Sequence, residues 1–329
     1  MANSNEKFKT MIGGQALIEG IMMRGPEKDA VVCRTKDGLK VEVTPRKLPK
    51  PGSPATWPLI RGVVSFFSAQ YTGVKALMHS ADLSPEEGEE EEPSKFDRWL
   101  EKKLGSEKFQ KAVLSFAMLL GLGFSIVLFF LIPMVIGGLF DRWITSNLAI
   151  NLIEGLIRMV IFLVYMYLVS KMNDMKRVFS YHGAEHKTIR CYEAQLPLTV
   201  ENVRAQTRLH PRCGTSFLLV VMLLSILIFS IASSVLLALV PALAALKGSF
   251  LYKLLMILFK LLLLPLVVAI GYECNRWVGR HDNALTRVLT APGLWLQHLT
   301  TREPDDGMIE VGIAALEAVL PEVEGADRW

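Results

Sequence analysis

The sequence predicts a mainly α-helical, polytopic membrane protein: four transmembrane helices and a small cytoplasmic α+β cap. Three observations predict it. The 329-residue chain is 51% hydrophobic and only 21% charged. Its apolar residues are concentrated in four runs, about 112–140, 148–170, 217–245 and 250–272. Each run is long enough for the roughly 20 apolar residues that a bilayer-crossing helix needs. Finally, positive charge is unevenly shared between the connecting segments. Eight lysines and arginines lie between Lys171 and Arg212, whereas the opposite loops carry Arg142 and Lys247. By the positive-inside bias, the N-terminus, the 171–216 loop and the C-terminus are cytoplasmic. Length alone would allow two soluble domains, but this clustering of apolar residues excludes that reading.

The first region, 1–83, is cytoplasmic. "MANSNEKFKTMIGGQALIEG" has no continuous apolar core, so no cleaved signal peptide is expected. "GGQALIEGIMMRGP" is small, apolar and turn-forming, and reads as a tight cap. There Gly13, Gly14 and Gly20 permit close backbone approach, and Glu19 and Arg24 are placed to reach the membrane mouth or each other. "AVVCRTKDGLKVEVTP" reads as a hairpin turning at "KDG". From Pro58, Ile60, Val63, Val64, Phe67, Tyr71, Val74 and Leu77 recur at helical spacing. Lysine and arginine are sparse on the polar face of that helix, which favours packing on the hairpin over lying on a membrane.

Residues 84–111 hold an acidic linker, "SPEEGEEEEPS", and a lead-in helix. The linker's like charges keep it solvated. Residues 112–170 contain the first two spans. Glu154 and Arg158 sit at i and i+4 in the second span, where an ion pair reaching to the interface is expected. The loop 171–216 continues the second span as a projecting helix. It then turns at Pro197, forms a short helix capped by Thr199, and ends in "HPRCG", where Thr215 or Ser216 can cap the third span. Residues 217–272 hold spans three and four, with Lys260 deep enough to need a partner. The tail, 273–329, ends in a helix over 305–320 capped by Asp305 or Asp306.

The chemistry is concentrated in "SYHGAEHKTIRCYE". On a helix, His182, Glu185 and His186 project within an arc of about 100°. Two histidines four apart can hold one metal ion, and the neighbouring carboxylate can serve a bound water as general base. A catalytic zinc takes three protein ligands and keeps one position open. Spans two, three and four all meet the cytoplasmic side near such residues: His182 and His186, then His210 and Cys213, then Glu273 and Cys274. The expected metal ligands are therefore His182, His186, His210, Cys213 and Glu273, with Glu185 as the catalytic base and zinc as the divalent metal. All four cysteines lie at or beyond the reducing face, so thiols or metal ligands are expected rather than disulfides. The lipid bilayer is the one partner the composition itself demands. No phosphate-loop or dinucleotide fingerprint opens a helix, and nothing calls for nucleic acid.

Six blocks carry a resemblance: "GGQALIEGIMMRGPE", "PLIRGV", "YHGAEHKTIRCYEA", "LTVENVR", "RLHPRCGTSFLL" and "PGLWLQHLTTREPDD". Together, in this order from about residue 11 to 320, they resemble the YqhQ-like membrane family, a domain of unknown function often labelled a predicted metal-dependent enzyme. The resemblance implies a bacterial, multi-span inner-membrane protein. It brings no substrate, and it carries over only the candidate metal positions in "HGAEH" and "HPRC".

Two functions compete. One is a metal-dependent hydrolase at the cytoplasmic membrane face, acting on a membrane protein or a lipid. The other is a non-enzymatic scaffold or assembly factor with a structural metal or polar core, whose cap binds a cytoplasmic protein. A transporter is a third reading, and it gains if Lys260 and Glu154 line one cavity.

Overall fold

The chain is mainly helical, with four long apolar helices and a small antiparallel sheet near the N-terminus. The computed structural model describes residues 8–84, 106–140, 143–144, 146–323 and 325–328, with the side chains of 106–112 and 114 left aside. The acidic linker and most of the lead-in helix lie outside the described residues. The described chain divides into two compact units. One comprises residues 1–85, 164–225 and 263–329; the other comprises 86–163 and 226–262.

The first unit is built on a four-stranded meander in the order β1 (Gly13–Leu17), β2 (Gly20–Arg24), β3 (Lys28–Thr35), β4 (Gly38–Pro45). The hairpin expected at "KDG" is β3–β4, with Thr35 opposite Gly38. A second hairpin, β1–β2, occupies the segment that sequence alone left as a turn-rich cap. Its five-residue strands are too short for a clear period, and its turn places Glu19 at φ +51°.

Alternation along β2 splits the core between the two faces of the sheet. Ile21 and Met23 face a cluster with Tyr181, Ala184, Val311 and Leu316. Met22 faces the other way, with Leu17, Cys33 and Ala76. The first cluster is supplied by α5 (Asn173–Glu193) and α11 (Asp306–Glu317), the second by α1 (Ile60–Leu83).

Helix α1 forms where the periodicity predicts, but it packs through its small face. Gly62, Gly73, Ala76 and Ser80 are buried, while Val64, Phe67, Tyr71, Val74 and Leu77 are exposed. The reason is close approach: a Cβ on Gly62 would stand 2.8 Å from that of Tyr272, and Gly73 lies against the Gln15 amide.

The four apolar helices are Ser115–Gly138, α4 (Asn147–Val169), α7 (Gly214–Leu239) and α9 (Phe250–Arg280). The first is composite: α2 (Ser106–Ile126), a wide π turn over Val127–Leu131, then α3 (Ile132–Gly138). A short α8 (Pro241–Ala245) follows α7, and α10 (Ala284–Thr300) follows α9. The fourth apolar helix thus runs eight residues past the end its hydrophobicity suggests. The expected continuation of the second span is interrupted, since a turn over Ser170–Met172 precedes α5. Arg302 holds that turn by donating to the Ser170 carbonyl at 2.8 Å.

In the second unit, Pro133 explains the π turn. Proline lacks an N–H and crowds the carbonyl four residues back, which here belongs to Phe129. That freed carbonyl accepts the Arg158 Nε–H at 2.7 Å, and the Arg158 guanidinium lies over the Phe130 and Phe229 rings. Glu154 is not paired outward with Arg158, as expected from the sequence. It is buried and accepts from Lys260 Nζ at 2.5 Å. Lys260 thereby finds the partner its depth requires. Both line one cavity of about 40 Å3, which is room for a few waters.

Gly183 positions the candidate site. It stays helical in α5, yet a Cβ there would collide with the Arg302 carbonyl. The 300–302 segment crosses α5 at this point, and Arg302 N–H donates to the Phe179 carbonyl at 2.8 Å. In an exposed helix, Gly→Ala would stabilise by about 1 kcal/mol. Here the sign reverses. Gly183→Ala is expected to destabilise by about 1–3 kcal/mol through overpacking, read as a lower melting midpoint in detergent.

Glu19 ties the β1–β2 turn to α5. The Arg177 guanidinium grips its carboxylate, and the Tyr181 hydroxyl donates to it at 3.1 Å. Burial pushes its pKa up, but Arg177 and Tyr181 outweigh burial and hold it below the usual carboxylate value of 4.5. A depressed folded pKa adds stability that is complete above the unfolded value and lost as pH falls through the folded one. Glu19→Gln is therefore expected to lower the melting midpoint at neutral pH and to flatten its fall between about pH 5 and pH 3.

Candidate metal centre

The site is assembled from α5, the loop after α6 (Val200–Arg204), the start of α7 and the end of α10. His182 and His186 lie one turn apart on α5, with ring centroids 4.3 Å apart. Cys213 comes from the loop, immediately before α7. One ligand atom from each of His182, His186 and Cys213 lies within 4.8 Å of the other two.

Backbone carbonyls fix the two rings. The His182 Nδ1–H donates to the Thr300 carbonyl at 2.8 Å, and the His186 Nδ1–H donates to the Arg208 carbonyl at 2.6 Å. A carbonyl only accepts, so each Nδ1 carries a proton and each Nε2 is turned towards the cluster. Metal-ligating histidines are commonly oriented by such a bond from the other ring nitrogen. The His182 Nε2 lies 3.2 Å from Cys213 Sγ, while the buried His186 Nε2 meets no hydrogen-bond partner.

Glu185 shares this arc. Its Oε1 accepts the Gly14 N–H at 2.9 Å, while its Oε2 is buried without a partner, 3.9 Å from His182 Nε2. Two orphaned buried acceptors beside a thiol are what a cation would satisfy. The soft sulfur and imidazole set suits zinc. A Cβ on Gly14 would meet Glu185 Cγ at 2.9 Å and the Met22 carbonyl at 2.8 Å, so glycine allows this strand to reach the carboxylate. Of the other residues in that block, Gly20 abuts Cys33, whereas Gly13 has open space. Arg24 pairs with Asp29, not Glu19.

Charges reinforce one another here. Burial opposes ionising Cys213, but His186 and His182 hold its thiol well below the usual range. Burial also opposes charging His182, yet Cys213 and Glu185 push it up to about 9. Burial keeps Glu185 above the usual carboxylate value despite the two histidines. Cys213 Sγ also accepts the Thr215 N–H at 3.4 Å. The sulfur, rather than a Thr215 or Ser216 hydroxyl, thus faces the first turn of α7, where the helix dipole favours a thiolate.

The structure does not bring the other two expected ligands to this group. His210 stands near it, its ring centroid 5.6 Å from that of His186, but its Nε2 faces Glu193 at 3.4 Å. Gln297 grips the His210 backbone, accepting its N–H at 2.8 Å and donating to its carbonyl at 2.7 Å. Burial drives the His210 pKa down to about 4 against the pull of Glu193. Arg212 and the Thr10 N–H complete the bonds to Glu193. Glu273, in α9, instead accepts from Arg61 Nε at 2.7 Å and from the Leu59 N–H at 3.3 Å. Its partner is the arginine of "PLIRGV", not the neighbouring Arg276.

Sequence reasoning missed the residues acting through their backbone: Gly14, Thr300 and Arg208. Only the glycine left a signal, because a carbonyl acceptor carries no side-chain signature.

No solved structure matches the chain. It is 33% identical over 325 residues to the "Uncharacterized protein YqhQ" of Bacillus subtilis (strain 168), covering 96% of this chain and 94% of that protein. The family described as "Protein of unknown function (DUF1385)" matches residues 57–322, a span that holds His182, Glu185, His186 and Cys213 together, and the chain belongs to that family.

Proposed function

We propose that this protein is a membrane-embedded, metal-dependent enzyme, a hydrolase working at the cytoplasmic face of the bacterial inner membrane. The observation that carries the reading is the convergence of His182 Nε2, His186 Nε2 and Cys213 Sγ beside the unpartnered Glu185 Oε2. A divalent ion, zinc by its donor set, would be held by the first three. When bound, it would lower the pKa of a water towards about 7. The chain's own residues would do the rest. Thr300 and Arg208 fix the rings, Gly14 holds one oxygen of Glu185, and the other oxygen is left to take a proton.

The membrane placement rests on the four apolar helices and on the lysines and arginines between Lys171 and Arg212. The exposed apolar face of α1 fits the same surface, with Phe67 and Tyr71 outward and Gly62 packed on α9. The test is elemental analysis of protein purified without a histidine tag, followed by a screen of ester and amide substrates. Absence of metal after metal-replete expression would sink the reading.

One observation favours a second reading. Glu185 Oε2 lies 3.9 Å from His182 Nε2, outside the group that His182, His186 and Cys213 form, and a swing of its side chain would add a fourth ligand. A saturated site is structural, and the protein would then be a scaffold whose metal staples α5 to the start of α7. Glu185→Gln separates the two readings, because only a structural site would lose metal affinity.

A further inference from the structure

A cleft of about 800 Å3 opens beside the candidate metal centre. Its walls come from the turn after α4, the first two turns of α5, Arg208 and the segment following α10. Asn173, Lys176, Arg177 and Ser180 recur at i, i+3, i+4 and i+7, so α5 turns one face into it. Five cations line the cleft, Lys171, Lys176, Arg177, Arg208 and Arg302, against the single carboxylate of Glu303.

Internal pairing offsets only part of this charge: among the described residues, carboxylates reach Arg177 and Arg208 but not Lys171, Lys176 or Arg302. Arg177 is taken by Glu19. Glu303 lies between Lys187 at 2.6 Å and Arg208 at 3.6 Å. The remaining partners are neutral. Arg302 donates to the Ser170 carbonyl, and Arg208 to the Thr301 carbonyl and hydroxyl at 2.5 and 2.7 Å. Lys176 donates to Asn173 Oδ1 at 2.8 Å, and Lys171 sits 4.9 Å from the Tyr167 ring centroid. Carbonyls orient these cations without neutralising them. They also use up the acceptors at the C-terminal end of α10, where Thr300 is already held by His182. The cleft is thus rich in donors and poor in acceptors, with Ser180 and Thr301 hydroxyls among the lysines and arginines.

That chemistry selects a compact polyanion with several acceptor oxygens. The volume falls within the range of small-molecule sites, roughly 300–1,000 Å3. Tyr167 and Leu299 add apolar surface where the apolar helix α4 ends. We propose that this cleft binds a phosphate ester or diphosphate group, carried by a lipid headgroup or by a soluble compound. The proposal does not depend on the metal reading.

The test uses full-length protein in phospholipid-free detergent, titrated calorimetrically with dioctanoyl-phosphatidic acid and with inorganic pyrophosphate. Lys171→Glu/Lys176→Glu is compared with wild type and with Lys36→Glu/Lys40→Glu on the β3–β4 hairpin, which changes total charge equally. At least one probe is expected to bind wild type, and at least about tenfold more weakly to the cleft variant, with the hairpin variant unchanged. Binding of phosphatidic acid alone identifies a lipid headgroup; binding of pyrophosphate identifies a soluble phosphate. The neutral pair Lys171→Gln/Lys176→Gln replaces the reversal variant if that one melts early. Failure of both probes to bind, equal binding by the cleft variant, or equal loss in the hairpin variant would overturn the proposal.

Discussion

Cys213→Ser is expected to strip the metal while leaving the fold in place. Wild-type protein purified without a histidine tag should carry about one equivalent of a divalent ion, and the variant less than about a tenth of that, because a hydroxyl is a poor substitute for a thiolate on a zinc-like ion. Serine is the informative replacement. Its oxygen can still accept the Thr215 N–H that the sulfur accepts now, and serine is a favoured helix cap. His186→Ala would also remove a ligand, but it would orphan the Arg208 carbonyl and leave a cavity in a buried position, so loss of metal would be confounded with loss of structure. Elemental mass spectrometry gives the stoichiometry. Because an ion that binds only the folded state stabilises it by mass action, a chelator should lower the melting midpoint of wild type and leave that of Cys213→Ser unmoved. A full equivalent of metal in Cys213→Ser would exclude the sulfur as a ligand.

Glu185→Gln is expected to keep the metal and lose turnover by about two to four orders of magnitude, the usual contribution of a positioned general base. The glutamine carbonyl oxygen can still accept the Gly14 N–H, so the contact between strand β1 and helix α5 persists. What disappears is an oxygen that takes a proton. Activity assays on wild type and variant at equal metal loading give the comparison. Loss of metal from this variant would move Glu185 into the coordination sphere and favour the structural reading.

The sequence foretold the parts of this architecture that depend on side-chain pattern. Hydrophobic runs located the starts of the four apolar helices to within a few residues but missed two ends. Helix α7 stops at Leu239, before Pro241, although the apolar run continues to 245. Helix α9 runs on through polar turns from Glu273 to Arg280 that carry no hydrophobic signal. "KDG" located the β3–β4 turn, and Thr199 and Asp305 capped their helices as expected. At the candidate site, the helical arc of His182, Glu185 and His186 was legible because spacing alone sets it. Cys213 was legible as a candidate by residue type, and only the return of the loop shows that its sulfur meets His182. His210 and Glu273 were equally plausible by type, yet their side chains are committed to Glu193 and Arg61, which lie 17 and 212 residues away. Helix α1 was misjudged in its facing. Burial normally follows hydrophobicity, but here glycines permit a closer approach, and the large residues are left outside.

The discontinuity of the sheet-bearing unit bears on how the protein is made. Its strands are synthesised first, its histidine helix in the middle, and the Thr300 carbonyl and helix α11 last. The ribosome adds residues at roughly 5–20 per second, so the β-meander waits many seconds for the helices that cover its Ile21 and Met23 face. During that interval the four long apolar helices are also made. A chain truncated before residue 300 could contain every candidate ligand and still lack the acceptor that orients His182. On the proposed metal reading, loading is therefore an event of completed chains, at the end of biogenesis rather than a step within it.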